Sequence, residues 1–117
     1  MAAPNIVNVS TILGKTAVLA ITTSATAIVT NAGASGKVLK IGQLLITNVN
    51  GSANATVTID IFRSSVAYDL AFQMTVPAGA TLDIVSSRIY LEEGDSLRLT
   101  ASVNSYLEGV CSYEDIS

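Results

Sequence analysis

The 117-residue chain has no histidine, no tryptophan and a single cysteine, Cys111. Without histidine there is no Ser-His-Asp triad and no Cys-His dyad, and the usual zinc sites are gone. One thiol cannot close a disulfide within its own chain, so a disulfide framework is excluded. Charge is scarce too: 13% of residues carry it, against a usual share of about a quarter. The net charge of −3 argues against nucleic-acid binding, which needs a basic patch to displace counterions. Aromatic residues make up 5%, and four scattered tyrosines do not make a sugar-stacking platform. No glycine-rich phosphate loop occurs. The stretch 16–36 is free of charge, but its threonines, serines and glycines break up the roughly 20 apolar residues that a membrane-spanning helix needs. The start, Met-Ala-Ala-Pro-Asn, has no basic region of the kind that opens a secretory signal. The expectation is a protein made in the cytoplasm, binding neither membrane nor nucleic acid and carrying no cofactor or metal.

What the chain does have is β-branched residues. Thr, Val and Ile account for 35 of the 117 positions, and these types suit pleated strands. No segment sustains the i, i+3, i+4, i+7 apolar spacing of a helix. In 66–76, Val66, Tyr68, Leu70, Phe72, Met74 and Val76 alternate with shorter or more polar residues, and period 2 puts the first set on one sheet face. In 55–63, Val57, Ile59 and Ile61 do the same. Ser64-Ser65 then reads as the turn of a hairpin, in which Asp60 opposes Asp69. A second hairpin is expected from 95–103 through a turn at Asn104-Ser105 into a last strand with Leu107, Cys111 and Tyr113 facing inward. Asn50-Gly51 between 37–49 and 55–63 supplies a residue tolerant of positive φ. Pro77-Ala78-Gly79 and Glu92-Glu93-Gly94 read as turns, flanking strands at 81–85 and 88–91. Upstream, strands are expected near 5–12, 16–22 and 25–31. Eight to ten short strands at this spacing indicate an all-β chain, an antiparallel β-sandwich or jelly roll. Residues 1–117 form a single domain in this reading, with no linker and no repeat.

The polar clusters read as structural. Glu92, Glu93 and Asp95 lack the spaced acids of a calcium loop, and Asp95 is placed to bond local backbone amides. Asp60 and Asp69 face each other on a solvated sheet face, where a basic group from a neighbouring strand or subunit would neutralise them. Cys111 falls in an apolar register and reads as a small buried hydrophobe. Asn8-Val9-Ser10, Asn50-Gly51-Ser52 and Asn54-Ala55-Thr56 match the glycosylation pattern by composition alone.

Two further features point to protein contacts. Residues 1–36 carry one charge, Lys15, and the chain before Asp60 sums to +3 while the remainder sums to −6. Interface cores are depleted of charge, and oppositely charged halves would let copies or partners meet with complementary fields. Residues 1–13 hold Ile6, Val7, Val9, Ile12 and Leu13 and no charge. Pro4 keeps Ala3 extended and withholds a donor, as suits an arm or edge strand. These five aliphatics are the candidate interface residues, on a segment expected to dock on a neighbouring subunit.

The succession Val76-Pro77-Ala78-Gly79-Ala80-Thr81-Leu82-Asp83, then Ile89-Tyr90-Leu91-Glu92-Glu93-Gly94-Asp95-Ser96-Leu97-Arg98-Leu99-Thr100-Ala101-Ser102, then Ser112-Tyr113-Glu114-Asp115-Ile116, resembles small all-β virion proteins of tailed bacteriophages, notably phages of marine cyanobacteria. The resemblance implies a non-enzymatic structural protein of the particle. Within that class it fits a capsid decoration or cement protein that bridges shell subunits, with capsid or tail proteins and copies of itself as partners. The alternatives are a neck, tail or baseplate subunit, or a host-surface binding module.

Overall fold

The computed structural model describes residues 11–85 and 89–117. Among these described residues nine strands occur, in this order: β1 Ile12–Ala20, β2 Thr26–Thr30, β3 Val38–Asn48, β4 Ala55–Arg63, β5 Val66–Val76, β6 Thr81–Val85, β7 Ile89–Leu91, β8 Ser96–Ala101 and β9 Leu107–Ile116. They form two antiparallel sheets. The first runs β1-β9-β3-β6, with β7 also on β3, and the second runs β2-β8-β4-β5. β6 and β7 share one edge of β3, opposite Leu44–Thr47 and Leu39–Ile41. No helix of the described residues is long and apolar enough to cross a membrane. The all-β sandwich expected from the sequence is the observed fold.

Each sheet turns one face inward. Ile41, Leu44, Ile46, Leu91, Leu107 and Cys111 from the first sheet meet Val57, Ile59, Leu97 and Leu99 from the second, all essentially inaccessible to solvent. Gly109 faces the second sheet with no room for a side chain: a Cβ there would lie 2.7 Å from Leu99 Cδ1.

Several elements match their sequence limits, with β4, β5 and β6 at the expected residues. The Ser64-Ser65 turn forms with both residues at positive φ, 53° and 63°, the conformation that matches strand twist in two-residue hairpins. The expected pair of Asp60 with Asp69 is present, with Phe62 opposite Ala67 and Arg63 opposite Val66.

Other expectations are corrected. The strand expected near 16–22 starts earlier and ends earlier, as β1 Ile12–Ala20, and the strand expected near 5–12 lies almost wholly outside the described residues. The 95–103 and 107–116 strands do not form a hairpin: β8 lies between β2 and β4, and β9 between β1 and β3, in opposite sheets. Asn104-Ser105 thus belongs to a sheet-to-sheet crossing. So does Asn50-Gly51, and its bend does not use a positive φ at Gly51. Asn50 Oδ1 instead accepts from the amides of Ser52 (2.8 Å) and Ala53 (3.0 Å), a side-chain mimic of a backbone turn.

The largest correction concerns β5. Its apolar alternation does not place six side chains on one face, because the register against β4 slips by a residue twice, around Leu70 and around Phe72-Gln73. Each slip reverses which parity faces the core. Ala71, not Leu70 or Phe72, takes the place opposite Ile59 and is 6% exposed, while Phe72 is 68% exposed. Gln73, at φ 49°, donates its amide to Thr58 Oγ1 at 3.1 Å. Phe72→Ser is therefore expected to change unfolding free energy by less than about 0.5 kcal/mol, whereas Leu99→Ala is expected to remove about 2–5 kcal/mol. Urea unfolding of the two variants measures both, and a large loss in the Phe72 variant would refute the reversed parity.

Candidate functional surface

The few charges are spent inside the chain. Lys15 and Lys37 both reach Asp115 Oδ2, at 2.9 and 3.2 Å, and Lys40 reaches Glu114 at 3.3 Å. All three lysines of the cationic half thus pair with the acidic end of the same chain. This corrects the expectation that the +3 and −6 halves stand free for contacts between copies. The antiparallel packing of β9 between β1 and β3 brings the two halves together.

The aspartate pair resolves the same way. Asp60 is 3% exposed, and Arg98 of β8 holds it through Nε (2.9 Å) and a second guanidinium nitrogen (3.3 Å). The guanidinium also lies 4.0 Å from the Phe62 ring centroid, a favourable cation–π placement. Asp69 stays on the exposed edge strand. The neutralising group for Asp60 is therefore Arg98 of a neighbouring strand of the same chain, and the expected solvated face is corrected at Asp60, which is buried beneath that guanidinium.

The acidic turn is divided among separate tasks. Asp95 is 2% exposed. It takes a two-pronged contact from Arg63, whose Nε lies 2.8 Å from Oδ1, and accepts the Glu92 amide at 2.8 Å. Glu92 meets Arg63 at 3.0 Å, and Glu93 accepts the Gly36 amide at 2.9 Å. Asp95 is thus buried and charge-paired, while Glu92 and Gly94 of the same turn stay exposed. The hydrogen bonds from Arg63 hold the Asp95 carboxyl below its ordinary pKa. For Asp115, burial pushes the pKa up, and the hydrogen bonds from Lys15 and Lys37 more than offset this, leaving it lowered.

Two residues that the sequence reading passed over secure the crossings. Asn31 donates to the carbonyls of Lys37 (3.0 Å) and Leu91 (2.9 Å), and Asn48 to those of Ala53 (2.9 Å) and Val76 (3.0 Å). Both are buried. Their only signal in the sequence is an asparagine at the end of an apolar run, a residue able to bond nearby backbone.

Nothing in these clusters converges on a ligand. No buried side-chain polar atom among the described residues lacks a partner, and no group of three or more acids or thiols there is placed to hold a metal. Cys111 is buried and its thiol is pushed up to about 11 by that burial.

The conspicuous surface is apolar and lies along two strand edges. On β5, Val66, Tyr68, Leu70, Phe72 and Met74 are all exposed; on β1, Ile12, Leu13 and Val18 are, the last at 74%. β1 and β5 end opposite sides of the sandwich, since β1 stacks beside β2 and β5 beside β6. Ile12 and Leu13 of the candidate interface set are thus exposed on an edge strand, while Ile6, Val7 and Val9 lie outside the described residues.

No family model matches the chain, and no curated protein matches it in sequence. Among solved structures, a pentameric capsid protein isolated from metagenomic phage sequences is similar over 97% of this chain and 63% of its own length, at 15% identity and a TM-score of 0.39. The chain therefore spans less than two thirds of that protein.

Two outcomes follow from these sites. Depressed carboxyls stabilise the fold fully above their unfolded pKa of about 4, and that contribution is lost as pH falls through the lower folded values. Asp95→Asn is expected to reduce stability at pH 7 and to flatten the acid-side decline, as read from denaturant midpoints across the acid range; an unchanged acid limb would refute it. Cys111 is expected to react with a thiol reagent no faster than the chain unfolds; rapid labelling of the native protein would contradict its burial.

Proposed function

We propose that this chain is a structural protein of a phage particle, and specifically a capsid decoration or cement protein that bridges neighbouring shell subunits. The observation that carries the reading is the pair of apolar edges, unpartnered among the described residues, on opposite sides of a molecule whose described lysines and arginines are all paired internally. A bridging subunit needs two separated adhesive regions and no chemistry. Contiguous exposed apolar patches on a soluble domain mark sites of protein contact. Stabilisation would come from added buried area and from hydrogen-bonded strand edges.

The winding of the chain supports the same reading. If β6 and β7 count as one interrupted strand, eight strands form two four-stranded sheets, and every connection except the β4–β5 hairpin crosses between them. We read this as a jelly roll, an architecture used by viral capsid and lectin domains among others. Fold does not by itself imply function. The lectin alternative calls for an aromatic-lined groove, and the exposed hollow beside Tyr68 is lined otherwise by Ile61 and Arg63. Residues Ile6, Val7, Val9, Ile12 and Leu13 are proposed to dock on a neighbouring subunit.

The test is particle binding. The full chain is expected to occupy its particle in hundreds of copies, whereas about a dozen would assign it to a neck, tail or baseplate. Deletion of residues 1–9 is expected to leave a folded domain, by circular dichroism, that no longer binds particles. Unchanged binding would overturn the docking role, and unfolding would make the segment an internal strand.

A further inference from the structure

The four sheet edges are not equivalent. β2 is short and bulged, with a register shift between Ala27 and Val29. β5 is bulged twice. The β6–β7 edge is divided between two short strands. Bulges and brevity are how proteins keep edges from recruiting further strands. β1 has neither of these, and its one charge, Lys15, is drawn onto Asp115 of the neighbouring β9 at 2.9 Å. It pairs with β9 over nine consecutive residues, from Ile12 with Ile116 to Ala20 with Glu108, without a shift. Its other side carries no strand among the described residues.

The free amides of that edge can be identified. Thr11 and Ser117 exchange both of their backbone hydrogen bonds, each at 2.9 Å. In an antiparallel ladder such mutual pairs alternate with pairs whose amides face away. With the register unbroken, the odd residues of β1 bond to β9. Ile12, Gly14, Thr16, Val18 and Ala20 turn their N–H and C=O groups to the open edge.

We infer that β1 is a self-association edge, at which two copies of this chain pair their β1 strands antiparallel about a two-fold axis through Thr16. A strand added there must place even residues opposite even residues. Thr16 is the midpoint of Ile12–Ala20, so a dyad on it pairs the whole strand in both copies. Thr16 then faces Thr16, a favourable cross-strand pair. Ile12 faces Ala20 of the second copy and Val18 faces Gly14, large against small. Between them Leu13 faces Leu19 and Lys15 faces Ala17. A dyad one residue earlier would set Lys15 directly against Lys15, a destabilising like-charge pair. The exposed apolar side chains of β1 are covered in this pairing, and two-fold contacts are the commonest in soluble oligomers. The inference stands apart from the virion reading, because it concerns the free chain in solution.

The experiment is the mass of the purified full chain by native mass spectrometry and light scattering, with two cysteine variants. The wild type is expected at twice the chain mass. Thr16→Cys is expected to form a disulfide-linked dimer on mild oxidation, since each dyad residue meets its own copy at a Cα separation near 5.5 Å. Val18→Cys is expected to link far less, because its neighbour is Gly14. Thr16→Pro removes an outward N–H that the fold does not use, and is expected to give a folded monomer. A monomeric wild type, whether its edge is covered by its own residues 1–10 or reserved for a shell protein, would overturn the inference. Equal linking through Val18→Cys would overturn it too, as would a dimer that survives in a folded Thr16→Pro variant. If the proline variant fails to fold, the contrast between the two cysteine variants still decides.

Discussion

A pleated strand can bury only every second side chain, and that parity governs this molecule. Each sheet has one face to hide, and the core closes only if the inward parity of every strand agrees with its neighbours. The chain meets this by resetting parity where needed. Gly42 and Gln43 reset it in β3, so that Leu39 and Ile41 point inward on one side of the slip and Leu44 and Ile46 on the other. Two slips in β5 bring Ala71 inward and turn Phe72 out. Without the reset in β3, one half of that strand would be reversed, and either Lys40 or Leu45 and Thr47 would face the core.

The same constraint shapes the surface. Strands in the middle of each sheet place their apolar set inside and leave residues such as Thr47, Thr58, Thr100 and Ser112 on the outer face. Edge strands are half-covered, so their core-facing residues remain partly open. Tyr68 shares the face of Ile61, and Leu13 that of Asp115, yet both are exposed, because the opposite layer does not extend over them. The adhesive character of the two edges is thus a consequence of where the layers end.

Scarce charge is the second organising fact. Each cation among the described residues is matched to an acid of the same chain. Exposed pairs of this kind contribute little, about 0.2–1 kcal/mol each. The contacts to Asp60, Asp95 and Asp115 differ because the carboxylates are buried, and removing a partner would leave an unpaired charge. These pairs tie distant segments together at the ends and seams of the sandwich, where the asparagines Asn31 and Asn48 also act.

The sequence by itself determined the fold class, most strand limits, the tight β4–β5 hairpin with its register beside the turn, and the burial of Cys111. These depend on local quantities: β-branching, period 2, and turn residues within a few positions of each other. It also displayed an uncharged, aliphatic start without showing what that segment meets. Only the tertiary structure decided which consecutive strands share a sheet, because a turn such as Asn104-Ser105 serves a hairpin or a crossing equally well. Only it decided the faces of β5, because a bulge leaves no mark in residue type when no glycine is needed, as at Leu70. And only it matched Arg98 with Asp60 and Lys15 with Asp115, because such pairs join residues tens of positions apart whose meeting depends on the order of strands in a sheet.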